Sequence, residues 1–193
     1  MAVSSGVLAL QGDFQKHVSA LEACGVRARE VRTPGELEAC GRLIIPGGES
    51  TTLGILLQKS GLDKAICGRA EQGMPVWGTC MGLILMAREI EGGDQFRLGL
   101  LDITVDRNAF GPQVNSFEAD VQIKGLDEPF HAVFIRSPAV TRLGEGVEAL
   151  AGVCRKVVAV RQGSLLGTAF HPELTCDRRM HAMFLEMPTD DRR

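Results

Sequence analysis

Several features that would place a chain in another class are missing here. Across 193 residues there is no cluster of Lys and Arg, and the formal net charge is −3. A nucleic-acid or other polyanionic partner is therefore not expected. The first residues carry no charged n-region, and the early apolar stretch stops at Gln11-Gly12, so neither a secretory signal nor a membrane span is expected. The six cysteines, at positions 24, 40, 67, 80, 154 and 176, include no Cys-x-x-Cys pair. With no secretory signal, reduced thiols and a cytoplasmic location are the expectation. Cys176 stands five positions from both His171 and His181, a spacing that suits no common zinc pattern, so no metal is expected there. Repeats, low-complexity tracts and interdomain linkers are also lacking. An apolar content of 45% over this length suits one domain with a sizeable core.

What is present begins with Gly78-Thr79-Cys80-Met81-Gly82. The pentapeptide follows the apolar run Pro75-Val76-Trp77 and precedes the helix-like run Leu83-Ile84-Leu85-Met86-Ala87. Strand, sharp turn and helix in that order are the context of a nucleophile elbow. Glycines two before and two after the cysteine leave room for the turn, where a Cβ would crowd it. A thiol at a helix N-terminus is biased toward thiolate. A buried cysteine in an ordinary strand–helix connection is the commoner fate of this residue type, but the flanking glycines favour the nucleophile.

A nucleophile needs a base. His171-Pro172-Glu173 follows the strand-like run of residues 165–170. Proline biases the residue before it toward extended backbone, and residues two apart in an extended chain project to the same side. The spacing therefore predicts His171 beside Glu173, with the carboxylate orienting the imidazole. Together with Cys80 they form a nucleophile–base–orienter set. His17, His131 and His181 have no comparable neighbours and are assigned to solvated surface or helix packing.

A third element lies earlier. Arg42-Leu43-Ile44-Ile45 reads as a strand, followed by Pro46-Gly47-Gly48-Glu49-Ser50-Thr51 and a helical pattern. Adjacent glycines let backbone N–H groups approach a ligand. Such donors suit an oxyanion, with the Met81 N–H as a second contributor. A plain turn is the ordinary alternative, and no Lys-Ser/Thr pair follows at the spacing of a phosphate loop.

These residues converge on a family. The chain resembles the glutaminase subunits of pyridoxal 5′-phosphate synthase, class I (triad) glutamine amidotransferases. The resemblance is carried by Gly6-Val7-Leu8-Ala9-Leu10-Gln11-Gly12, the Pro46–Thr51 and Gly78–Gly82 segments, Arg107-Asn108-Ala109-Phe110-Gly111, Ser116-Phe117-Glu118-Ala119, Phe134-Ile135-Arg136-Ser137-Pro138 and Phe170-His171-Pro172-Glu173-Leu174. Met81 stands where alanine is common in the family, and Ala109 where serine is common. The resemblance implies that Cys80 is the nucleophile, His171 the general base and then acid, and Glu173 the orienting carboxylate. It implies that Gly48, Glu49, Ser50, Arg107, Ile135 and Arg136 bind L-glutamine, and that Gly48 and Met81 form the oxyanion hole. An arginine fork suits the α-carboxylate of glutamine; a structural ion pair is the ordinary role of such arginines, as a dipole partner is of Glu49.

The implied activity is hydrolysis of glutamine to glutamate and ammonia, with ammonia passed to a synthase subunit that builds pyridoxal 5′-phosphate. Neither metal nor organic cofactor is implied for this chain. The alternatives are a glutaminase subunit of another synthase, such as imidazole glycerol phosphate synthase, a related cysteine hydrolase or peptidase, and an idle assembly subunit.

Apolar periodicity predicts a fold of class α/β: a single-domain, three-layer α/β/α arrangement with a mostly parallel central sheet and a mixed or antiparallel extension. Strands are expected at 7–10, 28–31, 43–45, 75–77, 103–105, 119–123, 131–135, 157–160 and 165–170. Helices are expected near 14–23, 35–39, 52–58, 63–71, 83–87 and 178–187. One glutaminase domain over 1–187 is expected, with a polar tail over 188–193.

Overall fold

The computed structural model describes residues 4–111 and 116–188. The first half alternates strands and helices. β1 (Ser4–Leu8) is buried throughout. α1 (Phe14–Ala23) buries His17, Ala20 and Leu21, an i, i+3, i+4 face, and stops where Gly25 adopts φ 79°. After β2 (Ala28–Val31), α2 (Pro34–Glu38) starts from a capping box in which Thr33 and Glu36 satisfy each other's backbone N–H groups, with proline in the first turn. β3 (Cys40–Ile45) leads to α3 (Ser50–Ser60) and α4 (Leu62–Glu71), separated by left-handed Gly61. β4 (Val76–Thr79), α5 (Met81–Met86) and β5 (Ala87–Ile90) complete this half.

The second half is mostly strands: β6 (Leu101–Asp106), β7 (Ser116–Val121), β8 (Phe130–Ile135), β9 (Ala139–Leu143), β10 (Glu148–Val153), β11 (Lys156–Gln162) and β12 (Leu165–Thr168). A 3-10 turn at Pro172–Leu174 and α6 (Arg179–Glu186) follow.

Ten strands form one sheet in the order β2-β1-β3-β4-β12-β11-β9-β6-β5, with β10 also paired to β11; β7 and β8 form a separate hairpin. β2, β1, β3, β4 and β12 run parallel. β11 is antiparallel to β12, β10 and β9, and β9 to β6. The chain moves one way from β1 to β2 and the other way from β3 to β4. Right-handed crossovers therefore place α1 and α3–α4 on opposite faces. α1 meets α6 on one face, while α3 packs on α4 and α5 on the other. This is the expected three-layer α/β fold with its antiparallel extension.

Local differences from expectation have physical causes. β1 ends at Leu8 rather than residue 10, although the Ala9 N–H still bonds Val31. The helix expected through residue 87 stops at Met86, because Ala87 turns to extended backbone and enters β5. β5, β9 and β10 were not expected. The outer end of β9, Thr141–Leu143, is exposed, and β10 is alanine- and glycine-rich with register shifts, so neither shows regular apolar alternation. Among the described residues no helix is long and apolar enough to cross a membrane. Of the polar tail expected over 188–193, all but Pro188 lies outside the described residues.

Candidate active site

β4 ends at Thr79, and the chain turns sharply through Cys80, whose φ of 50° is unusual for a residue bearing a side chain. Two glycines make that turn possible. A Cβ at Gly78 would stand 2.5 Å from the Gly82 carbonyl, and one at Gly82 would overlap the Ile45 carbonyl oxygen on β3. The Cys80 N–H donates to the Thr168 carbonyl at 2.7 Å, tying the elbow to the end of β12. Cys80 is 2% exposed, and its Sγ lies 3.6 Å from the Ile135 carbonyl oxygen. α5 spans only six residues, so its dipole is a smaller influence on the thiol than the sequence suggested. The charged partner is the imidazole.

His171 follows β12, and its N–H donates to the Val133 carbonyl at 2.8 Å. Its backbone is extended, at φ −105° and ψ 87°, but the chain does not continue extended: Pro172 starts a 3-10 turn. Glu173 therefore reaches His171 by a turn rather than by strand alternation. The expected pair is made all the same, with Nδ1 and Oε1 2.7 Å apart.

Burial disfavours a charged His171 ring, yet hydrogen bonding to the Cys80 sulfur and the Glu173 carboxylate, with their charges, raises its pKa to about 10. Burial likewise opposes charge on Glu173, but His17 and His171 hold its carboxyl well below the usual carboxylate range. At neutral pH the site carries an imidazolium between a carboxylate and the sulfur.

The Gly47–Ser50 loop lies directly over this pair. A Cβ on Gly47 would come within 2.6 Å of His171 Cε1 and 3.3 Å of Cys80 Cβ, and one on left-handed Gly12 would overlap the Gly47 carbonyl oxygen. Gln11, oriented by its hydrogen bonds, pairs the backbone N–H and carbonyl of Glu49 at 3.1 Å each. The Glu49 carboxylate caps α3, accepting from the Thr51 and Thr52 N–H groups at 3.0 and 2.7 Å. These bonds, first those with Thr52, lower its pKa to about 2. Both Glu49 backbone groups and its carboxylate are thus engaged locally, and Gly48 is exposed. The Met81 N–H opens α5, where no intrahelical acceptor exists for it, and the Met81 side chain packs against the core.

Ser50 is buried and joined to Arg107 through Gln95: Gln95 Nε2 donates to Ser50 Oγ at 3.0 Å, and Arg107 donates to Gln95 Oε1 at 2.5 Å. Ile135 reaches the cysteine with its carbonyl, while its side chain is 40% exposed. Arg136 is exposed and holds φ 44°, a costly conformation for arginine. Phe134 stacks on Phe117 with ring centroids 4.5 Å apart, and Phe110 adjoins both. That cluster seats the Arg107 turn against the end of β8.

Sequence reasoning assigned no site role to Gln11, Gly12 or Gln95, and it left His17 and His181 between solvated surface and helix packing. The second alternative holds: His17 on α1 and His181 on α6 are fully buried where the two helices pack. His17 Nε2 lies 3.3 Å from Glu173 Oε2, and His17 Nδ1 lies 3.0 Å from His181 Nε2. The one available signal was the i, i+3, i+4 spacing of His17, Ala20 and Leu21 on α1. His131 is exposed as expected, between Glu118 and Asp120.

Residues 7–190 match the family model described as the SNO glutamine amidotransferase family. The chain belongs to the SNO glutamine amidotransferase family. Relatives named "Pyridoxal 5'-phosphate synthase subunit PdxT" include one from Methanothrix thermoacetophila, 54% identical over 94% of this chain and 97% of that protein. Another, from Thermus thermophilus, is 55% identical over 94% and 96%. A crystal structure of a glutamine amidotransferase superposes with a TM-score of 0.91 at 52% identity, covering 95% of this chain and 97% of that one. PurLQS from Thermotoga maritima, at 17% identity and a TM-score of 0.72 over 96% of this chain and 98% of that one, shares the fold.

Proposed function

We propose that this chain is the glutaminase subunit of a pyridoxal 5′-phosphate synthase, hydrolysing L-glutamine and passing ammonia to the synthase subunit. The observation that carries the reading is the line Glu173–His171–Cys80 at the end of β4 and β12, in a chain more than half identical to relatives of that name. Its expected location is the cytoplasm. Residues 1–187 act as one glutaminase domain, with 188–193 as a tail.

In this reading the Cys80 thiolate attacks the side-chain amide carbon of glutamine. The oxyanion is met by backbone N–H groups of Gly48 and Met81. Imidazolium His171 gives its proton to the amide nitrogen, ammonia leaves, and a γ-glutamyl thioester remains. Neutral His171 then takes a proton from water, whose oxygen attacks the thioester carbon. Collapse of the second tetrahedral intermediate releases glutamate, and the thiolate–imidazolium pair is restored. Glu173 holds His171 in the tautomer and orientation both steps need.

Arg107 and Arg136 present guanidinium groups for the α-carboxylate. Glu49, Ser50 and Ile135 complete the pocket, Glu49 and Ile135 through their positions on the loops. Gln95 fixes Ser50 relative to Arg107.

Labelling with diazo-oxo-norleucine, a glutamine-mimicking electrophile, should modify Cys80 alone, as read by peptide mass spectrometry. Cys80→Ala should abolish ammonia release from glutamine while the chain still co-elutes with its synthase partner. Ammonia release by Cys80→Ala, or cleavage of peptides in preference to glutamine, would refute the assignment.

A further inference from the structure

Behind the carboxylate of the triad lies a closed polar cluster that the reaction as described leaves unused. His17 from α1 and His181 from α6 are both fully buried against Trp77, with ring centroids 6.0 and 5.1 Å from the indole. His17 Nε2 stands 3.3 Å from Glu173 Oε2 and 3.3 Å from Thr79 Oγ1, while His17 Nδ1 stands 3.0 Å from His181 Nε2. Glu173 Oε2 has no hydrogen bond of good geometry, and neither has His181 Nδ1.

We propose that His17 is a positioning residue for glutamine hydrolysis, its Nε2–H steadying Glu173 Oε2 so that Oε1 stays aligned on His171. The inference rests on the glutaminase reading above and deepens it.

The proton arrangement follows from what each buried atom can accept. Glu173 Oε2 is an acceptor, so the ring nitrogen facing it serves best as a donor. His17 Nδ1 is then an acceptor, and His181 must donate from its Nε2. That leaves His181 Nδ1 as a bare lone pair, matching the nitrogen that has no partner; an orphan acceptor is tolerated better than an orphan N–H. The opposite arrangement would aim a lone pair at the carboxylate. His181 is held neutral, first by burial and then by His17, its pKa pushed down to about 3. It therefore fixes the tautomer of His17 without adding charge.

Packing alone explains the cluster poorly. Two apolar side chains would fill the same space without burying imidazole nitrogens. His17 Nε2 stands equally far from Thr79 Oγ1 and Glu173 Oε2, at 3.3 Å each, so a small rotation of the ring turns its N–H onto the carboxylate.

The groups facing Glu173 are His171 from the reacting side, itself next to the Cys80 sulfur, and His17 from α1; His181 from α6 stands behind His17, with Arg178 near the start of α6 acting on it. Without the His17 donor, Glu173 takes up a proton more readily as pH falls, and a neutral carboxyl no longer holds the His171 imidazolium.

The test compares His17→Leu and His17→Gln in the full chain with its synthase partner. Ammonia release gives kcat and KM, and the rate of Cys80 alkylation by iodoacetamide is followed across pH by mass spectrometry. His17→Leu is expected to lower kcat by roughly 10–100-fold, the effect of losing an outer partner that orients a working side chain, with KM unchanged. The acidic limbs of kcat/KM and of alkylation should both move to higher pH. His17→Gln places an amide N–H near the Nε2 position and should recover most of the activity with an unshifted limb.

A folded His17→Leu with wild-type kcat and limb overturns the inference. So does equal loss in both variants without a shifted limb, which would leave only packing. Should His17→Leu fail to fold, His17→Asn takes its place, with its amide nearer the Nδ1 position. It is expected to shift the limb where His17→Gln does not, and identical profiles overturn the proposal. Wild-type protein that releases no ammonia would sink the glutaminase reading, while the alkylation limb would still decide the role of His17.

Discussion

His171 is under opposing pressures: burial favours a neutral ring, whereas the sulfur and carboxylate on either side favour a charged one. The charges prevail, and its pKa rises from 6.5 to about 10. The two partners are separable by titration. A His171 imidazole followed by NMR should stay protonated through neutral pH in the wild-type chain. In Cys80→Ala its midpoint should fall, because only Glu173 remains to hold the charge. A folded-state pKa above the unfolded value stabilises fully below pH 6.5 and loses that stabilisation as pH climbs through about 10. Thermal stability should therefore decline across that window more steeply in wild type than in Cys80→Ala.

Glu49 runs the other way. Its pKa is lowered from 4.5 to about 2, so its contribution is present above pH 4.5 and lost as pH falls through about 2. Glu49→Ala removes the cap of α3 and should cost about 1 kcal/mol in urea denaturation near neutral pH.

At the scale of elements, the site depends on close backbone approaches that only glycine permits. The β1–α1 connection bears on the loop after β3 where left-handed Gly12 meets the Gly47 carbonyl oxygen. A methyl group at residue 12 must push that loop away from Cys80 and His171. Displacements of about 1 Å can cost on the order of 100-fold in rate. Gly12→Ala should accordingly lower kcat/KM for glutamine by that order while circular dichroism stays native. Retention of wild-type kcat/KM would show that the loop position is not critical.

The elbow depends on the same principle, and here the local pattern was informative: glycines at −2 and +2 announced a turn whose crowding the structure confirms. The His-Pro-Glu spacing was informative too, although the geometry behind it was a 3-10 turn. β9 and β10 escaped notice because their outer residues lack regular apolar alternation. Their places in the sheet come from neighbouring strands.

In the molecule as a whole, the decisive arrangement is β12 inserted beside β4. It pairs parallel with β4, Thr79 opposite Thr168, and antiparallel with β11, joining the two halves of the sheet. Ligand sites of open α/β sheets lie at the carboxyl ends of such strands. Trp77 reinforces the junction, donating from Nε1 to Thr168 Oγ1 at 3.0 Å in the core. Trp77→Phe leaves that buried hydroxyl without its partner, at a cost of about 1–3 kcal/mol. For a chain of this size each kcal/mol lowers Tm by about 2–4 °C. Calorimetry should register that loss while most glutaminase activity at 25 °C persists.

By itself the sequence determined the elbow around Cys80, the His171–Glu173 pair, the engaged acid at Glu49 and the alternation of the parallel half. Each of these is written in residues a few positions apart, where turn sterics, capping and periodicity act directly. Only the tertiary structure decided that Cys80 meets His171, that Gln95 links Ser50 to Arg107, and that His17 and His181 stand behind Glu173. Those meetings depend on which strands become neighbours and which helix faces turn inward. Burial of the whole core selects both, and no short stretch of chain records the outcome.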